Sequence, residues 1–160
     1  MSDLTHLDAK GDLHMVDVGD KAITARSATA EAVVRLPQAC REVLAAGGDT
    51  RKGNVLQCAR LAGIMAAKQT STLIPLCHQL PLDQVAVEFD LHDDQLLITV
   101  TARCTARTGV EMEALTAASV AALTVYDMLK GISHDLVIDG IQLRHKEGGR
   151  SGTIDRSAAR

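Results

Sequence analysis

Two aromatic rings serve the whole chain. Phe89 and Tyr126 stand alone among 160 residues, and there is no tryptophan. A core without large flat side chains must be filled by aliphatic and alanine groups, so its helices, sheets and neighbouring subunits have to approach closely. Hydrophobic residues make up 46% and charged residues 23%, the ordinary inventory of a globular protein. The length is that of one domain. Base-stacking nucleic-acid platforms need several aromatics, which this chain lacks. A net charge of −3 gives no overall basic field for a polyanion. No nucleic-acid partner is expected.

The four cysteines, Cys40, Cys58, Cys77 and Cys104, are widely spaced and form no CxxC. Zinc-finger and thioredoxin-type signals are absent. No His, Cys, Asp and Glu set has metal-ligand spacing, so no resident metal is expected. The opening MSDLTHLDAKGD has no positively charged flank before an apolar run, so it does not read as a secretion signal. No uninterrupted apolar run reaches about 18 residues, so no membrane span is expected. Free thiols fit a reducing, cytoplasmic setting.

One domain over residues 1–160 is expected, with the polar, non-periodic stretches 1–13 and about 147–160 as mobile ends. Between them, residues 22–36 alternate small or apolar with polar side chains, which predicts a strand. Pro37 opens a short helix that stops at Gly47-Gly48. Residues 54–70 show helical spacing, with Asn54 as N-cap. Residues 84–91 and 95–103 alternate around the turn-prone Asp93-Asp94 and predict a β-hairpin. Residues 111–131 form a long helix whose stripe is Ala114, Leu115, Ala118, Ala121, Ala122, Val125 and Leu129. Residues 135–143 read as a last strand, interrupted by Gly140.

Leaving the short helix aside, the order is βαββαβ. That is an α+β, ferredoxin-like arrangement: an antiparallel sheet with two long helices on one face. The other face stays uncovered in a monomer. Small apolar side chains there would be buried by self-association.

Four segments could carry chemistry. In TLIPLCHQLPL, two prolines bracket Cys77 and His78 in a rigid, extended stretch. Neighbours in an extended chain point to opposite faces, which argues against a nucleophile–base pair. The residues are then a buried thiol beside a satisfied histidine, or His78 is a substrate contact. In TGVEMEAL, Glu111 and Glu113 either complement the helix macrodipole or serve a site. Asp127 and Lys130 share a helix face, as a surface ion pair or as an acid–base pair. In HKEGGRSG, glycines and cations form a solvated tail or an anion site, but the P-loop spacing is missing. Glu113 and Asp127 fall on one stripe of the long helix but about 21 Å apart along it. One ligand reaches both only if it is long, or if neighbouring subunits bring the two ends together.

These blocks, with LTHLDAKGDLHMVDVGDK, KGNVLQCARLAGIMAAKQTST and VYDMLK, resemble the cyclic pyranopterin monophosphate synthase family of molybdenum cofactor biosynthesis. The resemblance covers about residues 5–152. It implies a lyase that converts (8S)-3′,8-cyclo-7,8-dihydroguanosine 5′-triphosphate to cyclic pyranopterin monophosphate and releases pyrophosphate. It also implies a homohexamer, a trimer of dimers, with the site between subunits.

Carried over by motif, Asp127 would be the active-site carboxylate, with Lys130, Lys146 and Lys52 as catalytic cations. Leu76, Cys77, His78, Met112 and Glu113 would bind substrate, joined by Arg26, Arg107 and Arg150. No cofactor is implied beyond Mg²⁺ that could accompany the triphosphate. Arg107, Gln79, Glu147 and Arg150 depart from the family's usual residues, and Glu147 sets a negative charge beside Lys146. The competing reading is a non-catalytic ferredoxin-like nucleotide-binding or regulatory module, since fold does not fix function.

Overall fold

The structure is a computed structural model, and it describes residues 6–7, 10–149 and 152–156. Strand β1, Thr24–Arg35, buries Ala28, Ala30, Ala32 and Val34 on alternate positions. Pro37, with extended ψ, starts α1, Gln38–Ala45. Gly47 and Gly48, at φ +110° and +81°, then reverse the chain at no steric cost. A two-residue-per-strand hairpin follows, β2 (Asp49–Thr50) and β3 (Gly53–Asn54). It places Lys52 in the turn between them. Asn54 caps α2, Val55–Lys68, its Oδ1 accepting from the Gln57 amide at 3.1 Å.

A separate turn of helix, α3 (Thr70–Leu73), leads to a turn closed by Cys77 N–H donating to the Ile74 carbonyl at 3.1 Å. The Pro75–Pro81 segment is thus a turn before it is extended. The hairpin is β4 (Leu82–Leu91) and β5 (Gln95–Ala106). The long helix α4 spans Glu111–Leu129, β6 spans Val137–Glu147, and β7 is Ile154–Asp155.

The sheet runs β4-β5-β1-β6-β7, every neighbouring pair antiparallel. With the short elements set aside, this is the ferredoxin-like βαββαβ order expected from the sequence. Helix α4 lies on β1, β5 and β6, and α2 packs on α4 and β4. Buried Ala114, Ala117, Ala118, Ala121 and Ala122 line α4. Alanine is what lets the helices close up without aromatic filling. Closest approach comes at Gly63 of α2, where an added methyl would stand 3.1 Å from the Ala117 carbonyl oxygen and 3.4 Å from Val87 Cγ2. Helix α4 is long and apolar enough to cross a membrane, yet its apolar side is the core of this fold.

Two expectations need correction. The uncovered sheet face is not a small apolar surface, because Ala28, Ala30 and Ala32 of β1 turn toward the helices and only the exposed Ala25 has the opposite parity. The open face instead carries Thr29 hydrogen-bonded to Thr101 at 3.0 Å and Glu31 paired with Arg144 at 3.0 Å. The last strand also ends later than the expected residue 143, and the expected tail contains a short strand. The last strand runs on through His145, Lys146 and Glu147, which pair with Thr29, Ala28 and Ser27, and β7 returns to hydrogen-bond with it.

Candidate functional site

Helix α4 divides the candidate residues into two groups, one at each end. At its C-terminal end, Lys130 Nζ lies 2.7 Å from Asp127 Oδ1, and Lys52 Nζ lies 3.3 Å from Oδ2. Lys52 also donates to the Asp127 main-chain carbonyl at 2.8 Å, one of the oxygens a helix end leaves open. The β2–β3 turn is what brings Lys52 there. The Lys130 and Lys52 ammonium groups hold the Asp127 carboxyl below its ordinary range. Asp127 in turn raises Lys130 above the ordinary lysine value. Neighbouring cations would lower a lysine pKa, but Lys130 shifts the other way. Its nearest charge is an anion at hydrogen-bond distance, and the pair is solvent-exposed, so desolvation counts for less.

At the N-terminal end, Arg26, Arg107 and Lys146 line a cleft of about 870 Å³ with Thr24, Thr108 and Glu111. Lys146 reaches it because β6 continues past the expected boundary, and alternation turns Lys146 toward the helices with its partner Ala28. Glu147, next in the strand, faces the opposite side and lines a different hollow, on the open face. The acid that pairs with Lys146 is Glu111, at 2.7 Å. Arg26 donates to the Arg107 carbonyl at 3.4 Å. The backbone of Gly149 lies against the Arg26 guanidinium so closely that a side chain there would overlap it. Gly149 therefore serves the packing of a cation. Arg150 lies outside the described residues.

Glu113 is 4% exposed, and burial pushes its carboxyl up, aided by Glu111. Cys77 and Cys104 both feel the Glu113 charge, and burial raises both thiols, Cys104 to about 11. A thiol held up in this way is not a poised nucleophile. His78 Nε2 donates to the Val16 carbonyl at 2.8 Å, which ties the segment after α3 to the N-terminal chain. Leu76 is half-buried, and Met112 is 37% exposed at the start of α4. Among the described residues, no group of three or more His, Cys, Asp or Glu is placed to hold a metal ion.

The structure thus gathers Arg26, Arg107, Met112, Glu113, Lys146, Cys77 and His78 around one end of α4. It gathers Lys52, Asp127 and Lys130 around the other. Asp17, Asp20 and Lys21 also line the cationic cleft. They fall in the LTHLDAKGDLHMVDVGDK block that resembles the family, but residues 14–23 have no periodicity to place them.

The MoaC family profile matches residues 15–149. A relative from Herpetosiphon aurantiacus, named cyclic pyranopterin monophosphate synthase, is 58% identical over 93% of this chain and 92% of its own length. One of the same name from Rhodopirellula baltica is 50% identical over 95% and 93%. The cyclic pyranopterin monophosphate synthase 2 of Mycobacterium tuberculosis strain H37Rv is 53% identical over 96% and 92%. With identity of this level along nearly its whole length, the chain belongs to the MoaC family.

Proposed function

We propose that this chain is a cyclic pyranopterin monophosphate synthase, a lyase of molybdenum cofactor biosynthesis. It converts (8S)-3′,8-cyclo-7,8-dihydroguanosine 5′-triphosphate to cyclic pyranopterin monophosphate and releases pyrophosphate. One observation supports this beyond the relatives' names: a cation-lined cleft and an Asp–Lys cluster stand at opposite ends of the same helix. Closing the cyclic phosphate expels pyrophosphate, and Arg26, Arg107, Lys146 and Arg150 neutralise that leaving group. Any Mg²⁺ enters with the triphosphate. Rearranging the purine-derived rings requires proton transfers. Ionised Asp127 accepts a proton and charged Lys130 donates one, with Lys52 holding the carboxylate between them.

The two groups belong to one site only if two chains supply it. A two-fold axis crossing α4 near its middle sets the Asp127 end of one copy against the Glu113 end of the other. Leu61, Met65 and Leu123 are exposed on the helical layer, as such a contact requires. The assembly is a homohexamer, a trimer of such dimers. Four free cysteines favour a cytoplasmic setting. Purified protein incubated with the cyclised guanosine triphosphate should release pyrophosphate. Tight binding without release would favour the non-catalytic module instead.

A further inference from the structure

The first residue of α4 does not cap its own helix. Val110, at the N-cap, makes no side-chain capping bond. The Glu111 carboxylate instead folds back over Gly109 and meets Lys146 of β6 at 2.7 Å. Both side chains are largely withdrawn from solvent, at 17% for Lys146 and 26% for Glu111, although both line the cleft. A methyl at Gly109 would overlap the Glu111 carboxylate. Gly109 does not have positive φ, so its backbone conformation does not itself demand glycine. What demands it is the space taken by the carboxylate.

We propose that Gly109 and Glu111 are positioning residues: the missing side chain at Gly109 seats the Glu111 carboxylate, which fixes the Lys146 ammonium in the cleft for the departing pyrophosphate. This rests on the functional reading above, in which Lys146 meets the phosphate. A lysine stem is flexible, and a carboxylate held at 2.7 Å narrows the positions its ammonium takes. An ammonium has three donors, so Lys146 can keep Glu111 and still offer hydrogen to a phosphate oxygen. The arrangement costs the fold little to probe. The three atoms nearest a methyl at Gly109 all belong to the Glu111 carboxylate, the far end of a flexible side chain, so Gly109→Ala should fold normally and displace the carboxylate.

The test compares wild type with Gly109→Ala, Glu111→Ala and Glu111→Gln, each checked by thermal melting. Pyrophosphate release is measured, and the acetylation of each lysine by acetic anhydride is followed by mass spectrometry. Gly109→Ala and Glu111→Ala should lower kcat by roughly tenfold to a hundredfold, with KM changed less. Glu111→Gln, which keeps an acceptor oxygen without its charge, should lie between them and wild type. Lys146 should acetylate faster in Gly109→Ala and Glu111→Ala, while the other lysines keep their rates. Wild-type kcat in Gly109→Ala would overturn the inference. So would a Glu111→Ala enzyme whose only change is tighter inhibition by pyrophosphate, since Glu111 would then be a competing charge. If wild type released no pyrophosphate, the functional reading would fall, and equal Lys146 labelling in all four proteins would then refute the pairing by itself.

Discussion

Asp127 and Glu113 sit on one stripe of α4 about four turns apart, in opposite electrostatic conditions. Asp127 is exposed and clasped by two ammonium groups, whereas Glu113 is buried with Glu111 for a neighbour. One carboxyl is held below its ordinary value and the other is pushed above it. Each shift has its own consequence.

Glu113 is a carboxyl whose charged form the fold disfavours. The folded state therefore holds its proton to higher pH than the unfolded chain does. Stability falls as pH rises from the ordinary value of 4.5 through the raised one, and stays lower above it. Glu113→Gln removes the buried charge. At neutral pH it should raise Tm by a few degrees while reducing turnover, as expected where function keeps a costly group. Melting curves of both proteins from pH 4 to pH 8 check this, and the two should converge at the acid end.

Asp127 carries the opposite sign. Its contribution is present above the ordinary value of 3.8 and is lost as pH falls through the lowered one. The group is exposed, so the effect on stability is slight. Asp127→Asn should melt like wild type at neutral pH and yet lose most of its activity. Circular dichroism melts beside a pyrophosphate assay separate the two effects.

Much of this arrangement is legible in the sequence, and the failures have physical causes. Strict alternation announced β1 and the β4–β5 hairpin, and Asn54 announced the start of α2. The last strand looked finished at Leu143 because β6 is irregular against β1, with register breaks around Gly140 and beside Arg144. Those breaks disturb the period of two that sequence reading depends on. By pattern alone Lys146 therefore reads as part of a tail or an anion site, and only the motif resemblance gives it a catalytic role. The β2–β3 hairpin is too short to show any period, so only the motif resemblance, and no pattern, groups Lys52 with Asp127. The acidic wall of the cleft, Asp17 and Asp20, comes from a stretch outside the helices and the main sheet, tied to the segment after α3 by His78 donating to Val16.

Crowding at Gly63 predicts a graded response. An alanine there gains helix propensity but presses on the Ala117 carbonyl, so the two effects nearly cancel. Gly63→Val has no such offset and should destabilise the protein by about 1–3 kcal/mol. Urea unfolding of the three proteins, compared at constant m, measures it.

The thiols should label in order of burial and pKa. Cys58 is exposed, while Cys40 and Cys104 are buried, and Cys104 is pushed up to about 11 by burial and by the nearby carboxylates of Glu113 and Asp83. Iodoacetamide at neutral pH should modify Cys58 first and reach Cys104 only on unfolding. Peptide mass spectrometry over time reads the order.

The central claim is that each active site takes its Asp127 end from one chain and its Lys146 end from another. Subunit mixing tests it directly. Asp127→Asn and Lys146→Ala proteins, each inactive alone, are unfolded together in equal amounts, refolded and assayed for pyrophosphate release. Shared sites at a two-fold contact predict recovery of about one quarter of wild-type activity, since half the dimers are mixed and each mixed dimer holds one intact site. No recovery in oligomers shown to be mixed would contradict the account.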